Sequence, residues 1–146
     1  MSLIKPAVWL IGALVGISLN LAPIPKTAND ATHDFSFQDP LEPILYELAK
    51  CESGGRDDIH ILDSNDKYSY GRFQFQLTTF RGFGIQYGIL PKEITEAEAE
   101  MLIYDQELQT KVASAMIKDG LLHLHWVNCF KKMSPELTQL YHDLTI

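Results

Sequence analysis

The apolar positions divide the chain into three unlike stretches. From Ala7 to Ala22 they run almost unbroken and without a charge, behind Lys5-Pro6 and ahead of Pro23-Ile24-Pro25-Lys26. A short cationic start followed by such a stretch reads as an export signal, and the lack of an amphipathic face argues against a buried core helix. The stretch is long for a signal peptide and slightly short for a membrane span. Cleavage signals are poor, with Ala22 directly before Pro23, so residues 1–24 are expected to be either a signal peptide or a retained anchor that meets the membrane through residues 4–24. Residues 25–38 mix Pro, Thr, Asn, Asp and Ser without a period and read as a linker. From Asp39 the pattern becomes dense and stays so, which predicts one folded domain over residues 39–146.

Within that domain the spacing predicts mostly helix. Asp39-Pro40 offers a start, Leu41, Ile44, Leu45 and Leu48 recur at helical spacing, and Ser53-Gly54-Gly55 stops the run. Ile59–Leu62 and Lys67–Tyr70, joined by the polar turn Asp63-Ser64-Asn65-Asp66, read as a small β-hairpin. Gly71 bends the chain into Arg72–Gln76, a short helix is expected near Thr78, and Gly82, Gly84 and Gly88 are expected to break the chain after it. Thr95-x-x-Glu98 is a capping box heading a long helical stretch. Its apolar stripe of Met101, Tyr104, Leu108, Val112, Ala115 and Met116 predicts core packing, with a break expected around Asp105 and an end at Gly120. Ser134-Pro135 opens a last helix with Leu137, Leu140, Tyr141 and Leu144 on one face. The expected class is α+β, mostly helical, with one small β element.

Charge narrows the function. Of the 12 Lys and Arg residues, Lys5 and Lys26 lie in the first 26 positions, where no acid occurs, so the rest of the chain sets ten basic residues against 19 acidic ones. Such a body repels a phosphate backbone, which excludes general nucleic-acid binding. The only two cysteines, Cys51 and Cys129, both fall in the domain. Export permits a disulfide between them, worth on the order of 4 kcal/mol for a loop of that length, while two unrelated buried thiols are the other reading. Their distance in sequence does not suit a zinc site.

Glu52 carries the strongest chemical signal. It falls in the last turn of the first predicted helix, where the macrodipole disfavours a negative charge, and apolar neighbours push in the same direction. Both effects favour a carboxyl still protonated near neutral pH, as a general acid for a glycosidic oxygen requires. Farther on, Tyr68-x-Tyr70-Gly71-x-Phe73-Gln74-Phe75 leads to Thr79-Phe80. Aromatic faces accept sugar rings, and amides and hydroxyls bond to ring hydroxyls and acetamido groups. An ordinary strand and a helix cap would use the same residues.

Cys51-Glu52-Ser53-Gly54-Gly55, then Tyr70-Gly71-x-x-Gln74-Phe75-x-x-x-Thr79-Phe80, then Trp126-x-x-Cys129 resembles the resuscitation-promoting-factor domain of the lysozyme-like superfamily, which also holds the lytic transglycosylases. The resemblance spans about residues 41–131. It implies a lysozyme-like fold with a small hairpin beside a cleft, and cleavage of the β-1,4 bond between N-acetylmuramic acid and N-acetylglucosamine in peptidoglycan. It further implies Glu52 as the acid, a Cys51–Cys129 disulfide, Thr79 as a substrate contact, and Gln74, Tyr70, Tyr68 and Gln109 along the groove. Four departures stand out, one of them an added C-terminal helix. Phe80 replaces the family's Trp, Arg72 replaces its second Gly, and the stretch from Arg81 to Glu100 is longer and interrupted by glycine. No cofactor is expected, and the chain is expected to act outside the cytoplasm as a monomer on peptidoglycan glycan strands.

A glycosidase with two carboxylates places the second roughly 5 to 9.5 Å from the acid. Asp57, Asp58, Asp63 and Asp66 are the candidates, and each also suits a solvated turn. Without an obvious partner, ring closure to a 1,6-anhydro product is slightly favoured over hydrolysis. His123-x-His125 lacks a third metal ligand, and Asp63-x-Asn65 lacks the Gly and closing Glu of a calcium loop. Metal binding is therefore not expected. The alternatives to an enzyme are a peptidoglycan-binding or signalling module of the envelope that cleaves nothing, and a structural envelope protein.

Overall fold

A computed structural model describes residues 39–145. The expected export segment, residues 1–24, and linker, residues 25–38, lie outside the described residues. Among those described, no helix is long and apolar enough to cross a membrane.

The class is α+β and mostly helical, with seven helices and one three-stranded antiparallel sheet among the described residues. Helix α1 (Glu42–Ser53) begins slightly later than expected, because Asp39 closes a turn by accepting the Leu41 N–H at 3.0 Å and the Glu42 N–H at 3.0 Å. Its apolar face, Leu41, Ile44, Leu45 and Leu48, is buried. Gly54 and Gly55 take φ of 69° and 79° and donate to the Lys50 and Ala49 carbonyls, which ends the helix just beyond Glu52. Residues with a Cβ adopt that conformation at a cost, so the Gly pair is what makes the stop abrupt.

The hairpin forms where the sequence places it. Strand β1 (His60–Leu62) pairs with β2 (Tyr68–Tyr70), with Leu62 opposite Tyr68. Asp63 and Lys67 close the turn, and Asp66 takes a positive φ of 60°. A third short strand, β3 (Phe75–Gln76), pairs with β2 and runs directly into α2 (Leu77–Gln86).

Two expectations need correction. Gly82 and Gly84 do not break the chain but lie inside α2, and only Gly88, with φ of 67°, follows its end. The reason at Gly84 is packing. A Cβ there would stand 2.5 Å from Leu90 Cδ1, so a residue without one lets the next loop fold back over the helix.

The long stripe divides at the expected break, but it does not all pack in the core. Helix α3 (Glu96–Leu102) carries the full Thr95–Glu98 capping box, and Asp105 caps α4 (Gln106–Lys118) by accepting the Leu108 N–H. Because the break interrupts the helical period, Met101 (73% exposed) and Tyr104 fall outside the core, whereas Val112 and Met116 remain buried. Gly120 (φ 75°) ends the run as expected.

The short helices α5 (Leu122–His125) and α6 (Val127–Phe130) come next, and α7 (Pro135–Leu144) starts from the Ser134 cap. Helix α1 packs against α4, α6 and α7. The core joins Leu41, Ile44 and Leu48 to Phe73, Phe75, Phe80, Ile103, Met116, Leu122, Trp126 and Tyr141.

Candidate active site

Cys51 and Cys129 form a disulfide with Cα atoms 5.8 Å apart, tying the last turn of α1 to α6. The next residue is Glu52. Its side chain is half-buried and lines a cleft of about 570 Å³ between the sheet and the α5–α6 segment. The sheet and the start of α2 contribute Ile61, Asp63, Ser69, Gln74, Phe75, Gln76 and Thr79, and the facing wall is Leu124, His125, Trp126, Val127 and Asn128. Trp126 fixes the two walls together, donating its indole N–H to the Phe73 carbonyl at 2.8 Å and meeting Phe75 edge-on at 5.4 Å.

Burial pushes the Glu52 carboxyl above the ordinary carboxylate range, the negative charge of Asp63 pushes it further, and Lys132 partly opposes both. The direction is the one a proton-donating carboxyl needs. Asp63 is itself held in place. Its Oδ2 accepts from Ser69 Oγ at 2.5 Å and from Gln76 Nε2 at 3.1 Å, and Ser69 itself is buried. His125 stands edge-on to Phe83 at 5.1 Å, and burial lowers its pKa, which favours a neutral imidazole in the cleft.

Three of the residues expected along the groove come together there: Glu52, Gln74 and Thr79 all line the cleft. Gln74 adopts a positive φ of 50° and its amide donates to the Gly71 carbonyl at 2.7 Å, so a strained backbone presents this side chain. Tyr68, Tyr70 and Gln109 are not among the cleft residues. The two tyrosines cluster with His60 and Tyr104, whose hydroxyl meets His60 Nδ1 at 3.2 Å.

Gln109 is buried and spent on the backbone. It accepts the Phe73 N–H at 3.2 Å and donates to the Ile103 and Tyr70 carbonyls. It packs so closely under Gly71 that a Cβ there would overlap its amide. Gln109 therefore anchors the turn that presents Gln74 instead of facing a ligand.

Of the four hairpin carboxylates only Asp63 reaches the cleft. Asp57 is engaged by Arg72 through two bonds of 2.6 and 3.0 Å, the structural use of the Arg that departs from the resembling family. Asp63, a candidate second carboxylate in the sequence, lines the cleft, as do Ser69, Gln76, His125 and Asn128, which the sequence did not single out as contacts. The alternation of the hairpin, which sets Asp63 at its turn and Ser69 inward, was the available signal for Ser69.

Cys51, Glu52 and Cys129 offer potential ligand atoms within 4.8 Å of one another, but the sulfurs are bonded to each other and are not metal ligands in this state. His123 and His125 do not converge either, since His123 Nδ1 meets the Tyr141 hydroxyl at 3.1 Å while His125 lines the cleft. Compared with protein-family models, with curated proteins and with solved structures, the chain finds no match.

Proposed function

We propose that the protein is an exported, lysozyme-like enzyme that cleaves the β-1,4 bond between N-acetylmuramic acid and N-acetylglucosamine in peptidoglycan, with Glu52 as the proton donor. The observation that carries this reading is a half-buried carboxyl, raised in pKa and fixed beside a disulfide, that opens on a cleft walled by amides, hydroxyls and aromatic rings. Gln74, Gln76 and Asn128 supply amides and Thr79 a hydroxyl, the groups that pair with acetamido and ring hydroxyl groups of a sugar. Ile61, Leu124 and Val127, all exposed, supply apolar surface along the cleft. The resemblance of Cys51–Gly55 and Trp126-x-x-Cys129 to the resuscitation-promoting-factor domain points to the same substrate. A disulfide suits an oxidising compartment outside the cytoplasm.

In the reaction the Glu52 carboxyl gives its proton to the bridging oxygen as the bond from the anomeric carbon breaks, so the leaving sugar departs as a neutral alcohol. The cleft holds the strand with that oxygen toward Glu52, and removing solvent strengthens each polar contact. The test is clearance of a purified cell-wall suspension by wild type and by Glu52→Gln. Wild type is expected to clear it, and the variant to lose about 100-fold or more of the rate. Equal rates overturn the role of Glu52. Sedimentation with the wall without release of soluble fragments by either protein makes it a wall-binding module instead.

A further inference from the structure

We infer that Asp63 is a second working carboxylate, which binds the attacking water and directs the reaction to hydrolysis instead of 1,6-anhydro ring closure. The inference rests on the glycosidase reading of the cleft. Asp63 shares that cleft with Glu52 and is close enough for its charge to act on the Glu52 carboxyl. Ser69 Oγ and Gln76 Nε2 both donate to one oxygen, Oδ2. Among the described residues no side-chain or backbone donor meets Oδ1, and Oδ1 is not sealed from solvent.

A carboxylate oriented through one oxygen and free at the other is built to hold a ligand of its own. Two of its neighbours on the hairpin are differently used. Asp57 is committed to Arg72, and Asp66 supplies the positive-φ position of the turn.

The step balances without a co-reactant other than water. The water oxygen forms a bond to the anomeric carbon while the bond from that carbon to the bridging oxygen breaks. The electron pair of the broken bond stays on the bridging oxygen, which takes the Glu52 proton. One water proton passes to Asp63 Oδ1. The products are a new hydroxyl on one sugar and a reducing end on the other. Ring closure would instead use the C6 hydroxyl of the same sugar and leave no reducing end.

The experiment is digestion of purified peptidoglycan in ¹⁸O-water, with mass spectrometry of the released muropeptides. Wild type is expected to give reducing ends carrying one ¹⁸O. Asp63→Asn, which keeps the size of the side chain, is expected to lose about 100-fold of that hydrolytic rate, with any residual product enriched in the unlabelled anhydro form. The product ratio matters because removing the Asp63 charge also lowers the Glu52 pKa and slows cleavage by either route. Anhydro product alone from wild type overturns the inference and leaves the glycosidase reading standing. An unchanged product ratio and rate in the variant also overturns it. No cleavage by wild type overturns the glycosidase reading, and the inference falls with it.

Discussion

Half-burial and the nearby Asp63 make ionisation of Glu52 unfavourable in the folded chain relative to the unfolded one. The folded-state pKa is therefore the higher of the two. Glu52 contributes stability that is fully present below the unfolded carboxylate value and is lost as pH rises through the folded value. Glu52→Gln removes that dependence. Thermal melts across the acid-to-neutral range are expected to show the variant more stable than wild type near neutrality, with the gap closing at acid pH. Gln109 gives a prediction of the opposite kind. Gln109→Ala leaves the Phe73 N–H and the Ile103 carbonyl without their partner, at about 1–3 kcal/mol for each buried group. A clear loss of Tm is expected, and an activity loss with no change in Tm would instead put Gln109 in contact with substrate. Glu52, Gln74 and Thr79 were legible as neighbours in one cleft because each belongs to a short local motif. Gln109 and the tyrosines were not correctly legible, since the depth of a side chain depends on which neighbour lies above it.

At the scale of the elements, helix caps were the most readable features. Ser134 and the Thr95–Glu98 box open helices where the sequence places them, and the break expected around Asp105 is closed by an Asp105 cap, because a cap is a contact between residues a few positions apart. Thr95→Ala is expected to cost about 1 kcal/mol. The glycines of α2 were less readable. Gly inside a helix is disfavoured by about 1 kcal/mol against Ala, so the sequence alone argues for a break. The offsetting gain is the approach of Leu90, which is non-local and invisible in the pattern. At Gly84 the two effects compete, since Ala adds about 1 kcal/mol of helix propensity but overpacks the Leu90 contact by about 1–3 kcal/mol. Gly84→Ala is therefore expected to destabilise despite the better helix former, as chemical denaturation would show. Gly82→Ala, where a Cβ meets no other atom, is expected to stabilise.

For the whole molecule, the disulfide is the constraint that joins the early and late parts of the chain at the cleft. It links residues 78 apart and holds α6, which bears Val127 and Asn128 of the cleft wall, against the end of α1, which bears Glu52. Closing a loop of that size is worth about 4 kcal/mol in the chain-entropy picture. Replacing both cysteines by Ser is expected to lower stability by about that amount and to reduce wall clearance more than a purely global destabilisation does, since the two walls would no longer be fixed. The α+β, mostly helical class followed from periodicity alone. The closing of the α5–α6 wall over the hairpin did not, because short helices carry too few residues to show a period.

The state of one carboxyl decides the proposed chemistry, and the most direct measurement is an NMR titration of ¹³C-labelled glutamate, with the Glu52 resonance assigned by its loss in Glu52→Gln. The prediction is a Glu52 midpoint above those of the exposed glutamates, moving down toward them in Asp63→Asn. A midpoint at or below those of the exposed glutamates would contradict the proposed proton donor.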